Sequence, residues 1–531
     1  MTNDTWKAGY AVAFLLAVVL FVLLGVLQSD RPLWQDESAI LENLGLPWGS
    51  YFTALPYNDQ AAPPLALIFQ DIIWRLADGD VSSMRLLMLG VTTTVIGGVG
   101  LSAIRRGDAV MLVALMFLMT APHIISYSTE LKHYIFEFGA ALVLMHAAVT
   151  LDLTRKHACV VLFVLSVVLA LFSFSSMFIS VVIFLDAVLF RTNGRTRLLW
   201  GTALVGFVIV WVGLYVTIFK PVTFYQLTNY SESYDNHTLL AILQSGGSGL
   251  LTPLKHLVFP SYFGISLGLS IFWGIAMVIK HRRSKQADHI LRNPDYLFLR
   301  LGVGLISSVV LLSVLGQYPI FNGRQLLFTQ PVKATAGAAF IFAVFKWGEE
   351  SRSIRLAVAL IIATLTLPNA VRLPSFTLSG WYISQDTSAL YEHIQTRPDI
   401  PVVPNLLFAR TLRYYENRNP EPQISILGEL PFDTRVMEST DAVVANLNAN
   451  AINKLNNHIW APLDVEDSYR AYTDFVLRIA QDTGRITFAA AQFEDEREAF
   501  LVTSADAADC AISRDFTGPG VRSYDIDCAL R

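Results

Sequence analysis

About eleven apolar runs, each long enough to cross a bilayer, occupy the first 373 residues of this 531-residue chain. They fall near 8–27, 84–104, 109–127, 133–151, 157–173, 175–190, 198–219, 257–279, 297–316, 326–345 and 355–372. A membrane helix needs roughly 17–25 such residues, and in lipid a single segment satisfies its backbone polar groups only as a helix. The sequence therefore predicts a polytopic α-helical membrane protein. Composition agrees, because 15% charged residues is far below the roughly 25% of soluble chains. A larger core does not explain that deficit, since a soluble surface of this size would still carry its usual charge. The first run follows Met1–Lys7 as a signal peptide would, but it is too long for one and no A-x-A site follows, so it reads as a retained span. Three cysteines exclude a disulfide scaffold, and no spacing matches a zinc or iron–sulfur set.

The charges divide unevenly. Residues 1–373 carry 26 basic and 20 acidic side chains, and residues 374–531 carry 13 and 23, so a body of net +6 precedes a tail of net −10. Within the body, Lys and Arg near span ends favour the cytoplasmic side. Clusters such as Arg105-Arg106, Arg191–Arg197 and Lys280–Arg292 share one face only if Ala62–Ala77 lies on the surface as an amphipathic helix instead of counting as a span. With the N-terminus cytoplasmic, the amphipathic helices of 28–83, the turn 127–132, the loop 220–256, the turn 317–325 and the whole tail then share the extracytoplasmic face.

That outer face collects the unusual polar residues. Asp36-Glu37 follows the first span, and Asp59-Gln60 precede Pro63-Pro64-Leu65. Glu130, Lys132, His133 and Tyr134 leave the membrane together, Arg324-Gln325 lie in QYPIFNGRQLLF, and Lys333 sits inside a span. Each has an ordinary explanation: acids favour a helix N-terminus, Glu130 with Lys132 and His133 makes an interfacial ion pair, and Arg324 snorkels. Lys333 fits least well, because an ionisable group inside a span normally faces a cavity or a partner.

Taken in order, these features resemble a known family. An acidic pair after the first span, an X-Pro-Pro-Leu amphipathic helix, Arg85-Leu86 with Gly90, the turn Tyr127–Tyr134 and an R-x-L-L-F-x-x-P segment occur together. The set is similar to the GT-C superfamily of polyprenyl-phosphate-sugar-dependent glycosyltransferases, in the branch of protein O-mannosyltransferases and the lipid A aminoarabinose transferase. One departure is that Ala61-Ala62 precede the prolines, where relatives often have His or Lys.

The resemblance implies a GT-C transmembrane catalytic domain over 1–373 in a bacterial inner membrane. It implies an inverting transfer from a polyprenyl-phosphate-linked sugar to an extracytoplasmic glycan, lipid or protein hydroxyl, with no part for nucleic acid. The general base falls on Asp36, with Glu37 as the alternative, and Glu130 is the second acid. Asp59, Gln60, Lys132, His133, Tyr134, Arg324, Gln325 and Lys333 are the expected substrate contacts. Relatives differ on metal dependence, so a divalent ion between Asp36 and Glu130 stays open.

From Pro374 the pattern becomes globular, with strands expected at 400–404, 424–427 and 485–492 and helices at 406–416 and 465–482, a small α/β domain. No phosphate-binding loop or nucleophile elbow appears in it. Similar tails occur in bacterial members of the superfamily, and the resemblance implies acceptor binding or closure of the site for this one. The last segment reads as a hairpin around Thr517–Gly520 that brings Cys510 opposite Cys528, where an oxidising compartment permits a disulfide. The rival reading is a transporter or flippase. It would place ionisable groups and broken helices at the bilayer midplane, often in paired repeats, and no repeat is found.

Overall fold

The computed structural model describes residues 3–53, 55, 61–222, 297–314, 326–347, 386–416, 424–427, 466–491 and 495–529. The expected spans at 257–279 and 355–372 and the loop 220–256, apart from its first three residues, lie outside these. In chain order the helices begin α1 (Asn3–Val26), α2 (Gln35–Leu41), α3 (Pro64–Leu76), α4 (Val81–Arg106), α5 (Ala109–Met119), α6 (Pro122–Ser128), α7 (Tyr134–Thr150) and α8 (Lys156–Phe172). They continue as α9 (Ser176–Asp186), α10 (Gly194–Leu214), α11 (Leu297–Val314), α12 (Gln330–Trp347), α13 (Thr387–Gln395), α14 (Leu406–Glu416), α15 (Glu466–Thr483) and α16 (Asp495–Ala507).

These elements sort into two compact units. The first holds the chain to Ser29 and from Ala62 to Ser379, apart from Thr223–Tyr230, and the second holds Gly380–Arg531 together with Asp30–Ala61. Asp30–Ala61, with α2, thus belongs to the same compact unit as the tail. Ile40 and Leu41 of α2 are buried, as are Phe408 and Leu412 of α14, and the two helices are in contact.

In the membrane unit, Ala8–Val26, Val81–Arg106 and Gly194–Val222 are long and apolar enough to cross a bilayer, and α7 and α8 are shorter apolar helices. Alpha 1 turns Leu16, Val19 and Leu23 outward and buries Phe14 and Phe21. It meets α4 so closely that a Cβ on Gly100 would lie 2.0 Å from the Phe14 ring. The expected continuous span 109–127 is instead two helices, α5 and α6, bent by 75°. Pro122 opens α6 with no N–H to give to the preceding turn, and Ala121 before it is extended at φ −80°, ψ 118°. Alpha 3 starts on Pro64, buries Leu67, Gln70, Asp71 and Ile73, and pairs Arg75 with Asp71 at 3.0 Å.

The tail sheet has the order β1-β2-β4-β3, with β1 (Val402–Pro404), β2 (Arg485–Ala491), β3 (Ala511–Gly518) and β4 (Val521–Asp527). Beta 1 runs parallel to β2 and the other pairs are antiparallel. Side chains alternate across a strand, so Ile486, Phe488 and Ala490 face a core with Phe475, Val476 and Leu501. Ala489 and Ala491 face the opposite core with Leu390, Phe408 and Leu412. Helices thus cover both faces, and the isolated bridge Val402↔Ile426 is what forms where a strand was expected over 424–427.

Cys510 and Cys528 are joined by a disulfide that ties the start of β3 to the end of β4, while Cys159 is free and buried in α8. Replacing both by Ser should destabilise the tail by on the order of 3 kcal/mol through loop-closure entropy. Limited proteolysis of the full-length protein under oxidising and reducing conditions measures this. Asp525 on β4 accepts from Arg397 and Arg485, each at 2.8 Å. Burial alone would raise its carboxyl, but the Arg485 and Arg397 donors outweigh burial and hold it below the usual range. A depressed carboxylate stabilises the fold above its unfolded pKa of about 3.9, and that contribution disappears as pH falls through the folded value. Tail melting should therefore stay level from neutral pH to about pH 5 and drop below about pH 4, and Asp525→Asn should flatten that drop.

Candidate active site

The acidic pair sits where helix physics favours it, in the first turn of α2. Its two members have different surroundings. Glu37 is fully buried and accepts from Arg31 Nη2 at 3.0 Å, with Arg31 itself 7% exposed. Asp36 is half-buried. A carboxylate sealed against a guanidinium is poorly placed to take a proton from an incoming substrate, whereas Asp36 keeps a solvent-facing side.

The Glu130 segment belongs to the membrane unit and joins α6 to α7. Ser128 Oγ donates to Ile125 O at 2.6 Å and Thr129 Oγ1 to Ser126 O at 3.0 Å, closing the end of α6. Glu130, Lys132 and His133 are all buried, so they do not form a solvated interfacial turn. Tyr134 packs on His133 with ring centroids 4.6 Å apart and edge-on to Tyr127 at 6.0 Å. His133 Nε2 lies 3.8 Å from Glu137 Oε1, and Glu137 Oε2 accepts from Ser175 Oγ at 3.0 Å. Glu137 was missed in the sequence. The signal was present, since an acid four residues after His133 within an apolar span shares its helix face.

Lys333 lies in α12, wholly buried, with no hydrogen-bond partner on Nζ among the described residues. Arg85, 1% exposed, donates from Nη1 to Ser29 O at 2.9 Å and so pins the exit of α1. Gly90 of the same short motif has nothing among the described residues within 4 Å of where a Cβ would be. Ala61 and Ala62 are buried and bring no cation to the start of α3. Asp59, Gln60, Arg324 and Gln325 lie outside the described residues.

Among the described residues, no group of three or more His, Cys, Asp or Glu side chains is arranged to hold a metal ion. Asp36 and Glu130 also belong to different units.

No protein-family model and no curated protein sequence matches the chain. Solved structures do. ArnT from Cupriavidus metallidurans bound to undecaprenyl phosphate aligns with TM-score 0.50 and 13% identity over 97% of this chain and 98% of that one. The apo form of the same protein aligns with TM-score 0.50 and 12% identity over 98% of both chains. The fold is that of ArnT. The alignment covers nearly the full length of both chains.

Proposed function

We propose that this chain is an inverting membrane glycosyltransferase that moves a sugar from a polyprenyl-phosphate carrier to an acceptor hydroxyl. The observation that carries the reading is the near-full-length correspondence to ArnT, a protein seen with undecaprenyl phosphate bound. The charge distribution supports an inner-membrane location with Asp36 and the tail on the extracytoplasmic side.

In this reading the Asp36 carboxylate takes the proton of the acceptor hydroxyl. The acceptor oxygen bonds to the anomeric carbon from the face opposite the phosphate, and the carbon–oxygen bond to phosphate breaks with its electron pair on the prenyl phosphate. Lys132 and Lys333 supply positive charge for that leaving group, an interaction that grows as the bond breaks and so lowers the barrier. Arg324 joins them at the phosphate, and Gln325, Asp59 and Gln60 are further substrate contacts. His133 and Tyr134 line the donor side, with Glu137 beside His133, and Glu130 is the second acid of the site. One direct displacement inverts the anomeric centre.

The test is purified protein in liposomes with a panel of polyprenyl-phosphate sugars and hydroxyl acceptors. One donor should release polyprenyl phosphate and give a product of inverted anomeric configuration. A lipid flippase is the second reading, favoured by the 75° break between α5 and α6 and by the buried Lys333. It predicts movement of the carrier sugar across the bilayer with no polyprenyl phosphate released, and that outcome overturns the transferase.

A further inference from the structure

Alpha 2 has only seven residues, too few to hold a helix by its own hydrogen bonds, so its direction is set by what it packs against. Ser38, Ala39, Ile40 and Leu41 are all buried and the neighbouring helix is α14. Two side-chain bonds bracket the acidic pair. Leu33 O, just before the helix, accepts from Thr387 Oγ1 at the start of α13. Ser38 Oγ, just after Asp36-Glu37, lies 3.0 Å from Thr411 Oγ1 of α14. Both threonines are 0% exposed.

The helices that carry them are themselves fixed to the tail sheet. Asn405 caps α14, accepting from Phe408 N at 2.9 Å. It also bonds the end of β2 in both directions, to Ala491 O at 2.8 Å and from Ala491 N at 3.1 Å. Tyr391 of α13 donates to Glu416 of α14 at 2.7 Å, and Asp386 N donates to Pro519 O in the β3–β4 turn at 2.8 Å. A chain of bonds therefore runs from the sheet through two helices to the Leu33 carbonyl before Asp36 and the Ser38 hydroxyl after it.

We propose that the tail is the mount of the general base, with Thr387 and Thr411 as positioning residues that set the aim of Asp36 through α2. This rests on the assignment of Asp36 as base given above, and it gives the tail a part in the chemical step beyond any role in binding acceptor. Thr387 and Thr411 touch no substrate; they act only through α2.

The experiment uses the full-length protein in liposomes and measures kcat and donor KM for Thr411→Val, Thr387→Val, Thr411→Ser and Asp36→Asn, with melting followed in parallel. A tilt of the base costs rate without costing donor binding, so each valine variant should lose about tenfold or more in kcat with donor KM within about twofold. Thr411→Ser keeps the hydroxyl and should return to within about twofold of the parent. Wild-type kcat in both valine variants overturns the mount. So does a loss of activity that only follows the fraction of unfolded protein, or a Thr411→Ser variant as slow as Thr411→Val. If both valine variants keep wild-type kcat while Asp36→Asn is inactive, the base stands and the mount falls. Full activity in Asp36→Asn overturns the base assignment itself.

Discussion

Asp36→Asn should lower transfer from the polyprenyl-phosphate donor by about 10²–10⁴-fold, the range that general-base catalysis contributes. The amide has nearly the same shape and still accepts a hydrogen bond, so α2 and its packing persist while the proton acceptor is lost. Because proton removal accompanies attack, the loss should fall on kcat and leave the donor KM near the parent value. Glu37→Gln makes the contrasting case. Glu37 is sealed against Arg31, and the amide removes the charge from one side of that buried pair, so the change should appear first as lower stability of the tail unit. Single-turnover rates and melting curves on both variants separate the two roles. If the rate collapsed in Glu37→Gln and survived in Asp36→Asn, the two carboxylates would have to exchange parts.

The largest stability effect is expected at Asp186 and Arg300, which join α9 to α11. Arg300 Nε donates to Asp186 Oδ1 at 2.5 Å with the two side chains 9% and 4% exposed, and the guanidinium lies 5.2 Å from the Phe190 ring centroid. Nearby, a Cβ on Gly304 would meet Val182 at 2.8 Å, so the helices are too close to admit much water. Removing one partner of a buried pair leaves an uncompensated charge and typically costs about 3–5 kcal/mol. Asp186→Ala should therefore lower the melting temperature in detergent well below the parent and reduce the yield of monodisperse protein. Asp186→Leu combined with Arg300→Met removes both charges and should recover most of that loss, because a buried ion pair replaced by apolar side chains is often close to neutral. A double variant no better than Asp186→Ala would show that the lost term is packing.

Much of this was legible along the chain. Apolar run lengths located the described membrane helices to within a few residues, as with Tyr134–Thr150 in the run 133–151. Turn residues and strand alternation located the β3–β4 hairpin, whose register sets Ala511 against Asp527 and so Cys510 beside Cys528. The break at Pro122 was written in the sequence as a proline, but hydropathy averaging over a window erased it. Glu137 was hidden for the same reason, as one acid in a strongly apolar run.

Span existence, the acidic pair after the first span and the basic bias at span ends follow from local composition, since transfer into lipid is paid residue by residue. Which of two adjacent carboxylates is sealed, and which body carries them, depends on partners distant in the chain. Arg31 is six residues from Glu37, but Thr411 is 373 residues from Ser38 and Thr387 is 354 from Leu33. No periodicity encodes contacts at such separations; they exist only once the sheet, α13 and α14 have formed and α2 has buried its apolar face against them.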